Sequence, residues 1–137
     1  MEWKREYSTG IDEIDNQHKV LLSHFGMIEL LIANNANWSK IHRELQSLQE
    51  YSEFHFQFEE ALMRLFGYPE LEVHQTQHAS YLKEIDGKLN MRLNPYPDKA
   101  LLRLIEAWLV NHISQSDQGY ARHILSGARV VSAASQG

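Results

Sequence analysis

The sequence contains no cysteine. A disulfide framework, a thiolate zinc site, an iron–sulfur cluster and a cysteine nucleophile are therefore all excluded. Any metal bound by this protein must be held by nitrogen and oxygen atoms. Basic residues are also few, 13 against 18 acidic ones, with a net charge of -5. Because they form no cluster, the chain has no electrostatic footprint for nucleic acid, and we expect no nucleic-acid partner.

Long apolar runs are missing as well. No stretch of about 20 apolar residues is available to cross a bilayer, and residues 1–6 contain no apolar segment of the signal-peptide kind. We therefore expect a cytoplasmic protein with no membrane insertion. At 137 residues the chain is long enough for one domain with a substantial core and too short for two ordinary ones.

Glycine and proline are scarce, with seven and three residues, and with asparagine they fall in a few short stretches that leave four long segments. Each segment repeats its apolar residues at steps of three and four, which is typical of a helix with one buried face. Strand-like alternation is absent. Short links between four such helices predict an all-α, antiparallel up-down-up-down four-helix bundle with an N-terminal arm.

The expected domain covers residues 1–125, and the small, polar residues 126–137 predict a flexible C-terminal tail. Ser39 and Asp98 stand where helix N-caps are expected, and Gly67 stands where a helix can end.

Ionisable residues interrupt the apolar stripes of all four segments: His18, His55, Glu59, His74, His78 and His112. A single buried imidazole with one hydrogen-bonding partner is common and needs no metal. Six buried ionisable groups in one bundle are costly, because each must lose its water and find a partner there. A bound metal would remove that cost.

The heights of these residues along the helices show whether they can meet. His18 lies about 15 residues before the first turn and His55 about 16 after it, so both lie roughly 23 Å along their helices. By the same count Glu59 and His78 match across the second turn, and His78 and His112 match across the third. All four helices are therefore expected to supply side chains to one layer.

Two of the spacings within helices also suit a metal. His55 with Glu59, and His74 with His78, are four residues apart, which places both members of each pair on one helix face. Imidazole combined with carboxylate favours iron, zinc, copper or manganese over calcium or magnesium. The residues are too many for a single ion.

A series of residues in fixed order carries a further signal: Trp3, Tyr7, Gly10-Ile11, Ile14-Asp15, Gln17-His18, His55-Phe56, Glu59-Glu60, Gly67-Tyr68-Pro69, His74, His78, Trp108-Leu109-Val110-Asn111-His112-Ile113, Asp117 and Tyr120. In kind, order and spacing this series resembles the hemerythrin family, in particular the single-domain bacteriohemerythrins. The resemblance extends over roughly residues 3 to 125.

The resemblance implies a non-haem centre of two iron ions bridged by an oxo or hydroxo group. Carried over residue by residue, one iron has His74, His78 and His112, the other has His18 and His55, and both share Glu59 and Asp117 as bridges. Octahedral coordination then leaves one position open, on the iron with two histidines.

The function implied is reversible binding of dioxygen, as hydroperoxide, at that open position. This means oxygen carriage, storage or delivery by a protein that is not an enzyme, with dioxygen as the ligand and an oxygen-consuming protein as a possible recipient. We expect a monomer or a weak homo-oligomer. Leu109 matches a leucine that lines the oxygen pocket in relatives, and Phe56 and Ile113 are further candidates for this lining.

Spacing alone does not predict Asp117 as a ligand. It lies five residues after His112, about 140° around an ideal helix, and without the resemblance it reads as a solvated aspartate. Glu60 also lies five residues after its histidine, and we expect it to be solvated or at most to contact a ligand. None of the other histidines, His24, His42 and His123, shares both the height and the face of the cluster.

Three alternatives remain open at this stage. One is a di-iron oxidase in the same architecture, although that class uses Glu-x-x-His and the sequence contains no such motif. The second is an oxygen or redox sensor module. The third is a structural zinc site, which predicts a colourless protein.

Overall fold

The computed structural model describes residues 2–90 and 99–136. A single 3₁₀ turn precedes helices α1 to α5, with a π-helical turn between the last two: Arg5–Tyr7, α1 Asp12–Ala33, α2 Trp38–Leu65, α3 Leu71–Leu89, α4 Lys99–Asn111, the π-helical turn His112–Ser116, and α5 Asp117–Gln136. The described residues contain no strand. The predicted antiparallel bundle with an N-terminal arm is confirmed, and α4, the π-helical turn and α5 together form its fourth helix.

The N-cap of helix α2 lies two residues earlier than predicted. The side chain of Asn37 accepts a hydrogen bond from the backbone N–H of Lys40 at 3.1 Å, so Asn37 is the N-cap and the prediction for Ser39 is wrong. Ser39 lies within the first turn of the helix. The predicted cap at Asp98 lies outside the described residues. The end at Gly67 is confirmed, because this glycine follows the helix with a φ of +62°.

The core is divided into apolar layers along the bundle. A large cluster includes Phe25 on α1, Leu45 on α2, Ile85 on α3 and Ile105 on α4. A smaller cluster of Ile14, Met63, Tyr120 and Ile124 lies on the other side of the histidines. The ionisable residues therefore form a polar layer between two apolar ones, where solvent is excluded from both directions.

Helix α5 continues to Gln136, so the backbone after Leu125 is helical. The division between a domain at residues 1–125 and a flexible tail at residues 126–137 stays a prediction. None of the helices in the described part of the chain is both long enough and apolar enough to span a bilayer.

Candidate metal centre

Five of the seven predicted ligands form one compact cluster in the polar layer: His18, His55, Glu59, His112 and Asp117. Their ligand atoms all lie within 4.8 Å of one another, and every residue is buried. They come from α1, from α2, from the start of the π-helical turn and from the start of α5. The expectation from helix heights, that distant parts of the chain would meet at one level, therefore holds for these elements.

Glu59 lies at the centre of this cluster. One carboxylate oxygen, Oε1, contacts the Nε2 atom of His55 and lies 3.0 Å from that of His112. The other oxygen, Oε2, faces α3 and lies 3.4 Å from Nε2 of His78. The two oxygens of one buried carboxylate thus face different histidines, so either oxygen is placed to contact a cation.

Asp117 is brought to the same place by an irregularity in the fourth helix. Residues 112–116 form a π-helical turn, and the N–H of Asp117 donates to the carbonyl of His112. In such a turn residues five apart lie on one face, and Asp117 Oδ2 is 2.8 Å from Nε2 of His112 and in contact with Nε2 of His18. A regular α-helix would have turned Asp117 about 140° away. The extra residue of the π-helical turn removes this difference.

His74 and His78 lie at the edge of the cluster. His78 is next to Glu59, and its ring stacks on Phe56 at 3.9 Å between centroids. His74 lies beyond it, with its ring 6.0 Å from that of His78 and 6.0 Å from that of Tyr120. Both histidines are buried. The structure thus brings His78 into contact with the cluster through Glu59 and places His74 one ring further out.

Two of the imidazoles are oriented by a hydrogen bond on the nitrogen that points away from the cluster. His55 Nδ1 donates to Oε1 of Gln17 at 2.7 Å, and His78 Nδ1 donates to Oε2 of Glu60 at 3.1 Å. Such bonds fix the tautomer of a metal-ligating histidine and leave Nε2 free to bind. Glu60 is therefore a partner of His78 rather than a solvated glutamate, and Gln17 has the same role for His55.

Several buried polar atoms in this layer have no hydrogen-bond partner among the described residues. They include Oε2 of Glu59, Oδ1 of Asp117 and Nε2 of His78. Buried polar atoms are rarely left unsatisfied in native proteins. All three atoms carry lone pairs that a cation could accept, so the residues present fit a metal centre.

The charges of the cluster favour a cation as well. Burial disfavours the charged form of His112, but the adjacent Asp117 and Glu59 carboxylates outweigh burial and raise the pKa of His112 to about 10. Burial also disfavours ionised Glu59, but His55 and His112 hold the pKa of its carboxyl well below its usual range. Burial lowers the pKa of His74, which leaves this imidazole neutral and able to bind metal.

Apolar and aromatic residues surround the cluster. Leu109 and Ile113 are fully buried, and Phe56 is 2% exposed, so all three predicted lining residues lie in a dry environment. On the α3–α4 side Trp108 stacks on His112, with 4.6 Å between ring centroids. A cleft of about 370 Å³ opens to the surface there, lined by Trp108, His112 and uncharged polar residues.

The remaining three histidines form hydrogen bonds outside the cluster. His24 Nδ1 pairs with Glu44 Oε1 at 2.9 Å, and His42 and His123 each donate to a backbone carbonyl, of Leu89 and Phe66. All three lie outside the cluster, as predicted.

Comparison with known proteins identifies the family. A model of the hemerythrin HHE cation binding domain matches residues 9–124, which include all seven predicted ligands. The chain belongs to the hemerythrin family. It is 31% identical over 124 residues to a bacteriohemerythrin of Clostridium acetobutylicum, covering 86% of this chain and 96% of that protein.

Further relatives agree with this family. A bacteriohemerythrin of Pseudomonas paraeruginosa is 33% identical over 132 residues, covering 90% of this chain and 83% of that protein. The crystal structure of a wild-type hemerythrin superposes with a TM-score of 0.78 at 27% identity, covering 90% of this chain and 97% of that one. The buried histidine–carboxylate cluster is thus the candidate metal site of a hemerythrin.

Proposed function

We propose that this hemerythrin binds dioxygen reversibly at a centre of two iron ions and serves in oxygen carriage, storage or delivery. The observation that carries the proposal is the position of Glu59, whose two oxygens face different histidines inside a cluster that is closed to solvent. A single-ion site does not need a carboxylate directed to both sides.

We further propose the ligand set implied by the resemblance. His74, His78 and His112 serve one iron, His18 and His55 serve the other, and Glu59 and Asp117 serve both. The oxo or hydroxo bridge and the division between three-histidine and two-histidine irons rest on the resemblance. What supports the set here is that five of these residues share one cluster and that His78 adjoins it.

The iron pair, when bound, supplies the reversible two-electron chemistry that an amino-acid side chain lacks. The protein's own residues control access and orientation. Gln17 and Glu60 hold the imidazoles of His55 and His78 with Nε2 facing inward. Leu109 and Ile113 exclude water from the cluster, and such exclusion limits the proton transfer and side reactions that end reversible binding.

The composition of the site favours a carrier over an enzyme. Di-iron carboxylate proteins of the ferritin-like class use glutamates and Glu-x-x-His motifs, whereas this site has five imidazoles and two carboxylates. We infer that the electron-donating carboxylates needed for oxidase chemistry are too few here. A sensor role uses the same oxygen-binding chemistry and differs in having a partner that responds to it.

Colour tests this proposal most directly. The full chain, reconstituted anaerobically with ferrous iron and then exposed to air, should develop a visible ligand-to-iron charge-transfer band. The band should bleach when oxygen is removed and return when oxygen is readmitted, over repeated cycles. Irreversible oxidation on first exposure would indicate an oxidase, and a colourless protein with two tightly bound zinc ions per chain would indicate a structural site. Either result would overturn the oxygen-carrier assignment.

A further inference from the structure

The N-terminal arm, residues 3–10, crosses the bundle at the π-helical turn. Tyr7 is buried in a small cluster with Leu22 of α1 and Ile113 of the π-helical turn. Beside it, Nε2 of Gln118 donates to the backbone carbonyls of Tyr7 at 3.2 Å and of Ser8 at 3.1 Å. The arm therefore contacts the fourth helix within the irregular turn and just after it.

The other attachment of the arm is to α1. Asp15 accepts hydrogen bonds from the Ser8 hydroxyl, the Thr9 backbone N–H and the Thr9 hydroxyl, each at 2.8 Å. Asp15 lies on α1, one turn before His18. Three bonds to one buried carboxylate fix the arm firmly, so its contacts with the π-helical turn have a defined position relative to α1.

Two of the residues that the arm contacts on the fourth helix, Ile113 and Gln118, are five apart. Ile113 follows His112, and Gln118 follows Asp117. In the π-helical turn residues five apart share a face, so the metal cluster contacts one such pair and the arm contacts the next. In an α-helix Ile113 and Gln118 would diverge by about 140°, and the arm could not contact both as it does.

We propose that the N-terminal arm is a template for the π-helical register and thereby positions the Asp117 carboxylate at the metal centre, with Gln118 as the positioning residue. Asp117 as a metal ligand rests on the proposed function, whereas control of the register by the arm does not. The arm performs this role before any ion arrives, when no metal holds His112 and Asp117 together.

Amide hydrogen exchange of the full-length, metal-free chain tests the register directly. The amide of Asp117, which donates to His112, should exchange about tenfold faster in Gln118→Ala, because the turn opens locally. Alanine is the best helix former, so helix propensity cannot explain such a loss. Gln118→Lys keeps N–H donors at the end of a long side chain and should restore slow exchange.

Cobalt binding provides the second measurement, because Co²⁺ reports its coordination in its visible spectrum and needs no oxygen chemistry. Gln118→Ala should weaken Co²⁺ binding about tenfold, the usual cost of removing a residue that orients a ligand. The matched control is Gln57→Ala. Gln57 lies on α2 between two predicted ligands, two residues from each, but it is exposed. This control should leave both exchange and Co²⁺ binding unchanged.

Two results would overturn the proposal. One is wild-type exchange at Asp117 in Gln118→Ala. The other is acceleration that spreads equally to Ile85 on α3, since that would mean general destabilisation and no control of the register. If the wild-type chain binds no Co²⁺ at all, the proposed metal function fails, and the exchange measurement still decides whether the arm sets the register.

Discussion

Two histidine–carboxylate pairs serve the same cluster in different ways. His55 and Glu59 are four residues apart in the regular helix α2, where the helix itself places them on one face. His112 and Asp117 are five apart, and a π-helical turn is needed to bring their side chains to 2.8 Å. The two pairs arrive at equivalent contacts from different spacings.

The difference concerns what holds each pair in place. The α-helical ladder of hydrogen bonds supports the pair on α2 without further help. The π-helical turn interrupts that ladder and is a rare conformation, so its persistence depends on what it packs against. The N-terminal arm and a bound metal are the two candidates for holding the π-helical turn in place. The regular pair on α2, which needs neither, is the reference against which both are tested.

Glu59→Ala should have the largest effect. Glu59 lies next to four histidines, His18, His55, His78 and His112. On the proposed function its removal should therefore abolish binding of both irons and with it the stabilisation that metal gives to the folded state. Asp117→Ala should retain about one iron per chain, since Glu59 still faces the three-histidine side. Iron per chain and the iron-dependent rise in Tm measure both effects.

Glu53→Ala is the control for this pair of variants, because Glu53 is an exposed glutamate on the same helix. It should bind two irons and show the full rise in Tm. Retention of two irons by Glu59→Ala would mean that the central carboxylate is not a ligand.

Deleting residue 115 should have an intermediate effect. A π-helical turn contains one residue more than an α-helical one, so the deletion should produce a regular helix with histidine and aspartate four apart, like the pair on α2. The residues of α5 keep their faces, and metal affinity should stay within about tenfold of wild type. Metal titration and the exchange rates of the fourth helix measure this outcome.

The deletion also bears on the arm. In the shortened helix the register is intrinsic, so adding Gln118→Ala should cause no further loss of Co²⁺ binding. The matched deletion of Gln57 from α2 should abolish metal binding, because a regular helix has no residue to spare and everything after the deletion turns by about 100°. Equal loss in both deletions would mean that the π-helical turn is not a simple one-residue insertion.

Much of this fold follows from the sequence because helical periodicity is a local property. The stripes and short links predict four helices, and equal heights along adjacent helices predict which histidines meet. The end at Gly67 follows from backbone sterics in the same way. The prediction of Ser39 as the cap is wrong because Asn37 occupies the extended conformation that a cap requires, and the stretch contains several polar residues of the cap-forming kind.

The site was less predictable where it departs from regularity. The residue types at positions 112–116 do not indicate a π-helical turn. Asp117 is therefore predicted as a ligand only through resemblance to a family. The contacts of Gln17, Glu60 and Gln118 depend on where neighbouring helices and the arm lie, which spacing within one helix cannot give. The sequence does show that Glu60 and Asp117 each stand five residues after a histidine. In the structure only the step from His112 to Asp117 includes a π-helical turn.

The smallest effects should come from the residues that orient the imidazoles. Glu60→Ala removes the acceptor for His78 Nδ1 and should weaken metal binding about tenfold while the chain still takes up two irons. Gln17→Ala removes the acceptor for His55 Nδ1 and should cost less, because a neutral amide is a weaker acceptor than a carboxylate. Glu60→Gln keeps an acceptor oxygen without the charge and separates the two contributions. If Glu60→Gln binds metal as weakly as Glu60→Ala, Glu60 acts on His78 through its charge and not by orienting the ring. His55 and His78 would then be supported in different ways by Gln17 and Glu60.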